Sequence, residues 1–296
     1  MTHHAPASIP NRTAPVASPA SGSSVLATAH TGDATGADSL ARAIVSGRVE
    51  AWFQPEVDLT TGRTVAYEAL ARWHHPRRGV LPAGAFIDLA AHEGTVGTVS
   101  EIVTADAVRA AVAWAPAGIR TWVNVSPGQL GDDRFVDRLH TRCRAVGLPP
   151  HALGIEITER GHLDDLDGTI RRLGALRDLG VGIALDDFGT GHSSLVRLRR
   201  LPVDVIKLDR RFVAGVTVDP ADRAVAETLI TLADRLGLDV VAEGVEDAAT
   251  AHLLRRLGCR RAQGWLWSPA LAPLEARRVA GRRWRTGAEG PLRSEI

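Results

Sequence analysis

Seven apolar runs in the chain each carry or end in a charged or metal-binding residue, and they recur at intervals that suit the strands of a closed barrel. They are VAYEAL with Glu68, TWVNVS with Asn124, LGIEITE with Glu156, VGIALDD with Asp186 and Asp187, VDVIKLD with Lys207, LDVVAEG with Glu243, and CRRAQG with Gln263. Runs of this length read as short buried strands, where an unpaired charge is costly. One exception would carry no meaning. Seven point to a site built from strand ends, with cations that make the carboxylates tolerable.

Alternation along each run sharpens this reading, because successive side chains of a strand face opposite ways. Ile155 and Ile157 share a face and leave Glu156 on the other; Val123 and Val125 oppose Asn124. Ile206 and Leu208 oppose Lys207, Val240 and Ala242 oppose Glu243, and Ile183 and Leu185 oppose Asp186. With the apolar face against outer helices, all these polar residues point to the barrel axis. Glu68, Glu156, Asp186, Asp187 and Glu243 then meet one ammonium, a surplus of four negative charges that two divalent cations would neutralise. Paired ions about 3.5–4 Å apart clamp the oxygens of a displacement at phosphorus in many enzymes.

Between the runs lie helical patterns. Asp219 and Pro220 start a helix whose apolar stripe is expected at Val225, Leu229, Leu232 and Leu236, with Gly237 as its stop. Asp247 caps the next, and Leu166, Ile170, Leu173 and Leu176 stripe an earlier one that Gly180 ends. Strand–helix alternation with short connections predicts a parallel sheet with helices outside. The start differs: AWFQPEVDL, TTGR and TVAYEAL read as a hairpin around a glycine-containing turn.

The first 37 residues are Ala, Ser, Thr, Pro, Gly and His with almost no large apolar side chain, and read as a disordered leader. Residues 285–296 read as a flexible tail, leaving 38–284 as one domain of the size of a (β/α)8 barrel. A net charge of +1 gives no field favouring DNA, RNA or an anionic membrane. Two cysteines without metal spacing, no apolar run of membrane-span length and no secretory pattern predict a cytoplasmic protein. The histidines, including His74, His75, His92, His162 and His192, have no mutual metal spacing, and Arg199, Arg200, Arg210 and Arg211 read as a solvated face.

Lys207 is the only lysine among 35 basic residues. A lone lysine inside an apolar strand, where arginine is the default, points to a need for a compact, tunable ammonium. All-oxygen ligands select Mg²⁺ or Mn²⁺ over zinc, and Ca²⁺, larger and less acidic, is expected to occupy the site without supporting turnover.

These residues fall in motifs that together resemble the EAL-domain phosphodiesterases, which hydrolyse cyclic di-GMP. The motifs are FQPEVDL (53–59), YEALARW (67–73), NVSPGQL (124–130), EITE (156–159), DDFGTGHSSL (186–195), KLDRRFV (207–213), AEGVE (242–246) and QGWLWSP (263–269). The resemblance spans about Asp38 to Pro273 and implies an α/β fold, a modified (β/α)8 TIM-like barrel whose first strand runs antiparallel. It implies a first ion on Glu68, Asn124, Glu156 and Asp186. Asp186 would bridge to a second ion, bound by Asp187 and approached by Glu243. Lys207 and Glu243 would hold the attacking water with Gln263 nearby, and Gln54, Leu70, Arg72 and Glu68 would meet the dinucleotide. Glu159 would brace the DDFGTG loop, and the loop and helix after Asp187 would form a homodimer interface. Trp265 and Trp267 stand where the family more often has Tyr and Phe, and are read either as guanine-stacking or as core. A sensor that binds without cleaving, or a protein-contact scaffold, is the alternative; such members lose metal-binding or loop residues, and no loss is visible here.

Overall fold

In a computed structural model, which describes residues 39–158, 165–189 and 198–285, a short helix, Leu40–Val45, precedes the expected hairpin. Strand β1 (Val49–Asp58) pairs antiparallel with β2 (Thr64–His75) around a turn at 59–61, which Gly62 N closes onto Asp58 O. Gly62 is required there. Its φ is +69°, and a Cβ would meet the Trp284 carbonyl oxygen at 2.3 Å.

Six parallel strands follow β2 around the axis: β4 (Arg120–Asn124), β5 (Leu153–Thr158), β6 (Gly182–Phe188), β7 (Val205–Leu208), β8 (Asp239–Ala242) and β9 (Arg261–Gln263). β9 returns to β1, antiparallel, with Gln263 opposite Glu56. The eight strands therefore close, and β1 runs against both its neighbours. β3 (Gly79–Pro82) stays outside the ring and extends the far end of β2. This is the modified TIM-like barrel that the sequence predicts.

Two apolar cores follow from strand alternation. The larger lies between strands and outer helices and takes Ile155, Ile157, Ile183, Leu185, Ile206, Leu208, Val240 and Ala242, the face assigned outward from sequence. Phe53, Tyr67 and Trp114 pack there edge-on or tilted, with Tyr67 Oη donating to Ala276 O at 2.9 Å. The smaller core fills the barrel itself: Ala66, Trp122, Ala184, Val205 and Val241. Trp122 spans this floor because its neighbours are glycines. A Cβ on Gly154 would sit 2.1 Å from its ring, and one on Gly182 3.1 Å away.

Helix boundaries agree with the caps read from sequence, but one stripe does not. Asp219 caps the helix Pro220–Leu236 through Ala221 N (2.7 Å), and Gly237 ends it in the left-handed region. The buried face is Ala226, Ile230 and Ala233, while Val225 and Leu236 are exposed and Leu229 and Leu232 only half-buried. The small alanines let the helix axis approach the barrel closely, which a count of large apolar residues does not register. Asp247 and Asp165 cap the helices Ala248–Arg256 and Leu166–Asp178 as N-cap acceptors. Among the described residues no helix is long and apolar enough to cross a membrane.

Candidate active site

Inward alternation carries one polar layer above the Trp122 floor. Glu68 (β2), Asn124 (β4), Glu156 (β5), Asp186 (β6) and Lys207 (β7) stand on strands; Glu243 follows β8, and Gln263 ends β9. Lys207, with 2% of its side chain exposed, reaches three carboxylates: Glu243 Oε1 at 2.7 Å, Glu156 Oε1 at 2.9 Å and Glu68 Oε2 at 3.1 Å. Gln263 Nε2 donates to Glu68 Oε2 (2.6 Å) and Glu243 Oε1 (3.1 Å), and Asn124 Nδ2 donates to Glu68 Oε1 (3.1 Å). Apart from the ammonium, neither oxygen of Glu156 has a hydrogen-bond partner, although both are buried.

One ammonium cannot satisfy three buried carboxylates. Burial raises Glu156 well above the ordinary range, reinforced by the charge of Glu68. Burial pushes Glu243 up to about 8. At Glu68 burial is outweighed by Lys207 and by the hydrogen bonds from Gln263, Lys207 and Asn124, so its carboxyl is held low. Burial opposes the charge on Lys207, but Glu156, Glu243 and Glu68 together hold it firmly protonated.

A second acidic group lies beside the first. Asp187 is the one non-glycine among the described residues with positive φ (56°), and its N–H is bonded to Asp186 Oδ1 at 2.8 Å. Its side chain is hydrogen-bonded to Asp209; burial, the Asp186 charge and that bond push it up to about 6. Asp209 instead caps the helix Arg210–Ala214 through Arg211 N (2.7 Å) and is paired with Arg211 Nε (3.0 Å). At Asp209 burial is outweighed by the Arg211 bonds, and its carboxyl lies low. Asp186 is raised, chiefly by burial.

The acidic donor set suits hard cations. It is all oxygen, part of it lacks partners, and the Lys207 ammonium stands where positive charge is demanded. Among the described residues no three His, Cys, Asp or Glu side chains form a ready metal cage, because the carboxylates are drawn onto Lys207.

The mouth above this layer holds the other expected residues. Gln54 lies opposite Glu68 in the β1–β2 ladder and donates to Ser268 O at 3.3 Å. Arg72 sits over the Trp52 ring, 5.8 Å from its centroid. Leu70 lines a cavity of about 450 Å³ together with Val99, Ser100, Val103, Asn124, Ser126 and Pro127. Trp267 is core, 8% exposed, whereas Trp265 is 69% exposed. Arg199, Arg200, Arg210 and Arg211 are exposed, as read. Glu159, and residues 190–197 of the loop expected to lead to a subunit interface, lie outside the described residues.

Sequence reading missed two inward carboxylates. Asp209 stands two residues beyond Lys207, and the alternation that placed Lys207 would have found it. Glu56, two residues beyond Gln54, lies fully buried below the polar layer and accepts from Trp122 Nε1 at 3.0 Å, with Arg261 Nη1 at 3.6 Å.

The family model for the EAL domain matches residues 37–270, and the chain belongs to that family. The cyclic di-GMP phosphodiesterase NbdA of Pseudomonas aeruginosa is 38% identical over 260 residues, 87% of this chain and 33% of NbdA. The uncharacterized protein Rv1354c of Mycobacterium tuberculosis is 40% identical over 233 residues, 77% of this chain and 37% of its own length. The chain thus spans about a third of the length of these curated relatives. Among solved structures, the PaMucR phosphodiesterase in complex with c-di-GMP aligns with a TM-score of 0.76 and 35% identity, over 80% of this chain and 97% of that one. A manganese/c-di-GMP complex of Klebsiella pneumoniae BlrP1 aligns with a TM-score of 0.68 and 30% identity, over 76% and 57%.

Proposed function

We propose that this chain is a phosphodiesterase that hydrolyses cyclic di-GMP to linear 5′-pGpG, with two Mg²⁺ or Mn²⁺ ions held by Glu68, Asn124, Glu156, Asp186, Asp187 and Glu243. The observation that carries the reading is the convergence of Glu68, Glu156 and Glu243 on one buried ammonium at the barrel mouth, a donor set with more negative charge than the protein itself balances. Asp209, bonded to Asp187, joins the second group. The likeness to NbdA and to the c-di-GMP complex of PaMucR supports the substrate.

Ions in this site would supply charge neutralisation at the non-bridging oxygens and a more acidic water. The residues do the rest. Gln54, Leu70 and Arg72 line the mouth and orient the dinucleotide, the apolar cavity beside Leu70 taking a base. Glu243 Oε1, 2.7 Å from Lys207 Nζ, would accept the proton of an attacking water once ion binding has displaced its own. Lys207, firmly protonated, orients that water and offsets charge developing at phosphorus. Attack breaks one P–O3′ bond of the ring; the freed 3′ oxygen takes a proton from solvent, and the 5′ phosphate stays on the linear product. No DNA or RNA polymer and no membrane enters this reading, and its place is the cytoplasm. The leader, a homodimer through the loop after Asp187, and inhibition by Ca²⁺ belong to the same proposal.

A chromatographic time course with Mn²⁺ tests it. Linear pGpG should accumulate in the wild type and be lost with Glu68→Ala. Tight cyclic di-GMP binding without product at any Mn²⁺ or Mg²⁺ concentration would instead make the protein a sensor.

A further inference from the structure

β4 ends at Asn124, one residue past the last β2–β4 pair, Ala69 with Val123. On the β2 side the strand end is then held from outside the sheet, while on the other side Asn124 still pairs with Glu156 of β5 and Val125 N donates to Glu156 O at 2.9 Å. Ser100, on the helix Val96–Ala111, places its hydroxyl 3.0 Å from the Asn124 carbonyl and 2.5 Å from Gln129 Oε1. Gln129 belongs to the short helix Pro127–Gly131 that follows β4, and closes a capping box on Ser126. Its Oε1 also accepts from Ser126 N and Ser126 Oγ, both at 3.1 Å. Its Nε2 faces Glu101 Oε1 at 3.4 Å, and Glu101 is paired with Arg142 at 2.9 Å. A serine hydroxyl has one proton, so Ser100 donates to either the Asn124 carbonyl or the Gln129 oxygen at a time and stands between the two as their shared neighbour.

The consequence is orientational. With its backbone pinned and Nδ2 committed to Glu68 Oε1 at 3.1 Å, the Asn124 amide is left with Oδ1 as the acceptor for a cation. We propose that Ser100 and Gln129 are positioning residues for Asn124, holding its carboxamide oxygen toward the first ion. This rests on the reading of Asn124 as a ligand to that ion. Gln129 is 7% exposed, and its oxygen accepts from Ser126 N and Ser126 Oγ while facing the Ser100 hydroxyl. It is therefore a rigid support and not a ligand. Outer partners of this kind typically set metal affinity by about 10–100-fold.

Ser100 also lines the cavity beside Leu70, so loss of activity alone would not separate positioning from nucleotide contact. The test therefore uses Mn²⁺ alone, with free Mn²⁺ read by electron paramagnetic resonance and no nucleotide present. Ser100→Ala and Gln129→Met should each weaken Mn²⁺ binding by about tenfold, and Ser100→Thr, which keeps the hydroxyl, should restore it to within about twofold. Melting of the metal-free variants should stay near that of the wild type. If Asn124→Ala weakens Mn²⁺ binding while Ser100→Ala and Gln129→Met leave it unchanged, positioning is overturned and the ligand reading stands. If Ser100→Thr is as weak as Ser100→Ala, the effect is packing and the proposal falls. If Asn124→Ala itself leaves Mn²⁺ binding intact, the ligand reading fails and takes the proposal with it.

Discussion

Metal uptake by this barrel should expel protons, and their number follows from the polar layer. Without ions, burial pushes Glu243 up to about 8 and Asp187 up to about 6. A carboxyl raised in the folded state stabilises the metal-free fold below its unfolded pKa, and that contribution is lost as pH rises through the folded value. The metal-free protein therefore loses stability from about pH 4 to 8, the Asp187 part being complete near pH 6 and the Glu243 part near pH 8, while the deprotonated site gains affinity for cations as pH rises. At pH 7 Glu243 is about nine-tenths protonated and Asp187 about one-tenth, so binding both ions releases about one proton from these two groups. Glu156, raised well above the ordinary range, adds to that release. The product of the two Mn²⁺ affinities should rise at least about tenfold from pH 6.5 to 7.5. Calorimetric titration of metal-free protein with Mn²⁺, in buffers of differing ionisation enthalpy, counts the protons directly. Heats independent of the buffer, or affinities flat from pH 6 to 8, would refute the account of a charge-crowded mouth.

Two further outcomes probe the same layers. Asp187→Asn should reduce Mn²⁺ stoichiometry from two toward one; it should also raise the melting temperature of the metal-free protein at pH 8 but not at pH 4, since the carboxyl it replaces is pushed up to about 6 and crowds Asp186. Loss of both ions together in that titration, or equal melting shifts at the two pH values, would contradict the assignment. Gly154→Ala should cost on the order of 3 kcal/mol, because its Cβ would stand 2.1 Å from the buried Trp122 ring; urea unfolding with a midpoint unchanged from wild type would show that the floor can yield.

The sequence by itself determined the polar layer. Alternation within LGIEITE, VGIALDD and VDVIKLD put Glu156, Asp186 and Lys207 on the face opposite the isoleucines and leucines, and the outer core contains those isoleucines and leucines. The hairpin and the caps at Asp219 and Asp247 were legible for the same reason: each is fixed by neighbours a few residues apart. Tertiary structure alone decided the rest. That three carboxylates share one ammonium depends on strand register around a closed ring, which no local pattern encodes. The same closure made Gly154 and Gly182, unremarked in their strands, the space into which Trp122 fits. It also set the helix Pro220–Leu236 down on its alanines, leaving Val225 and Leu236 exposed. Contacts between residues distant in sequence are chosen by volume and register, and these exist only once the barrel has closed.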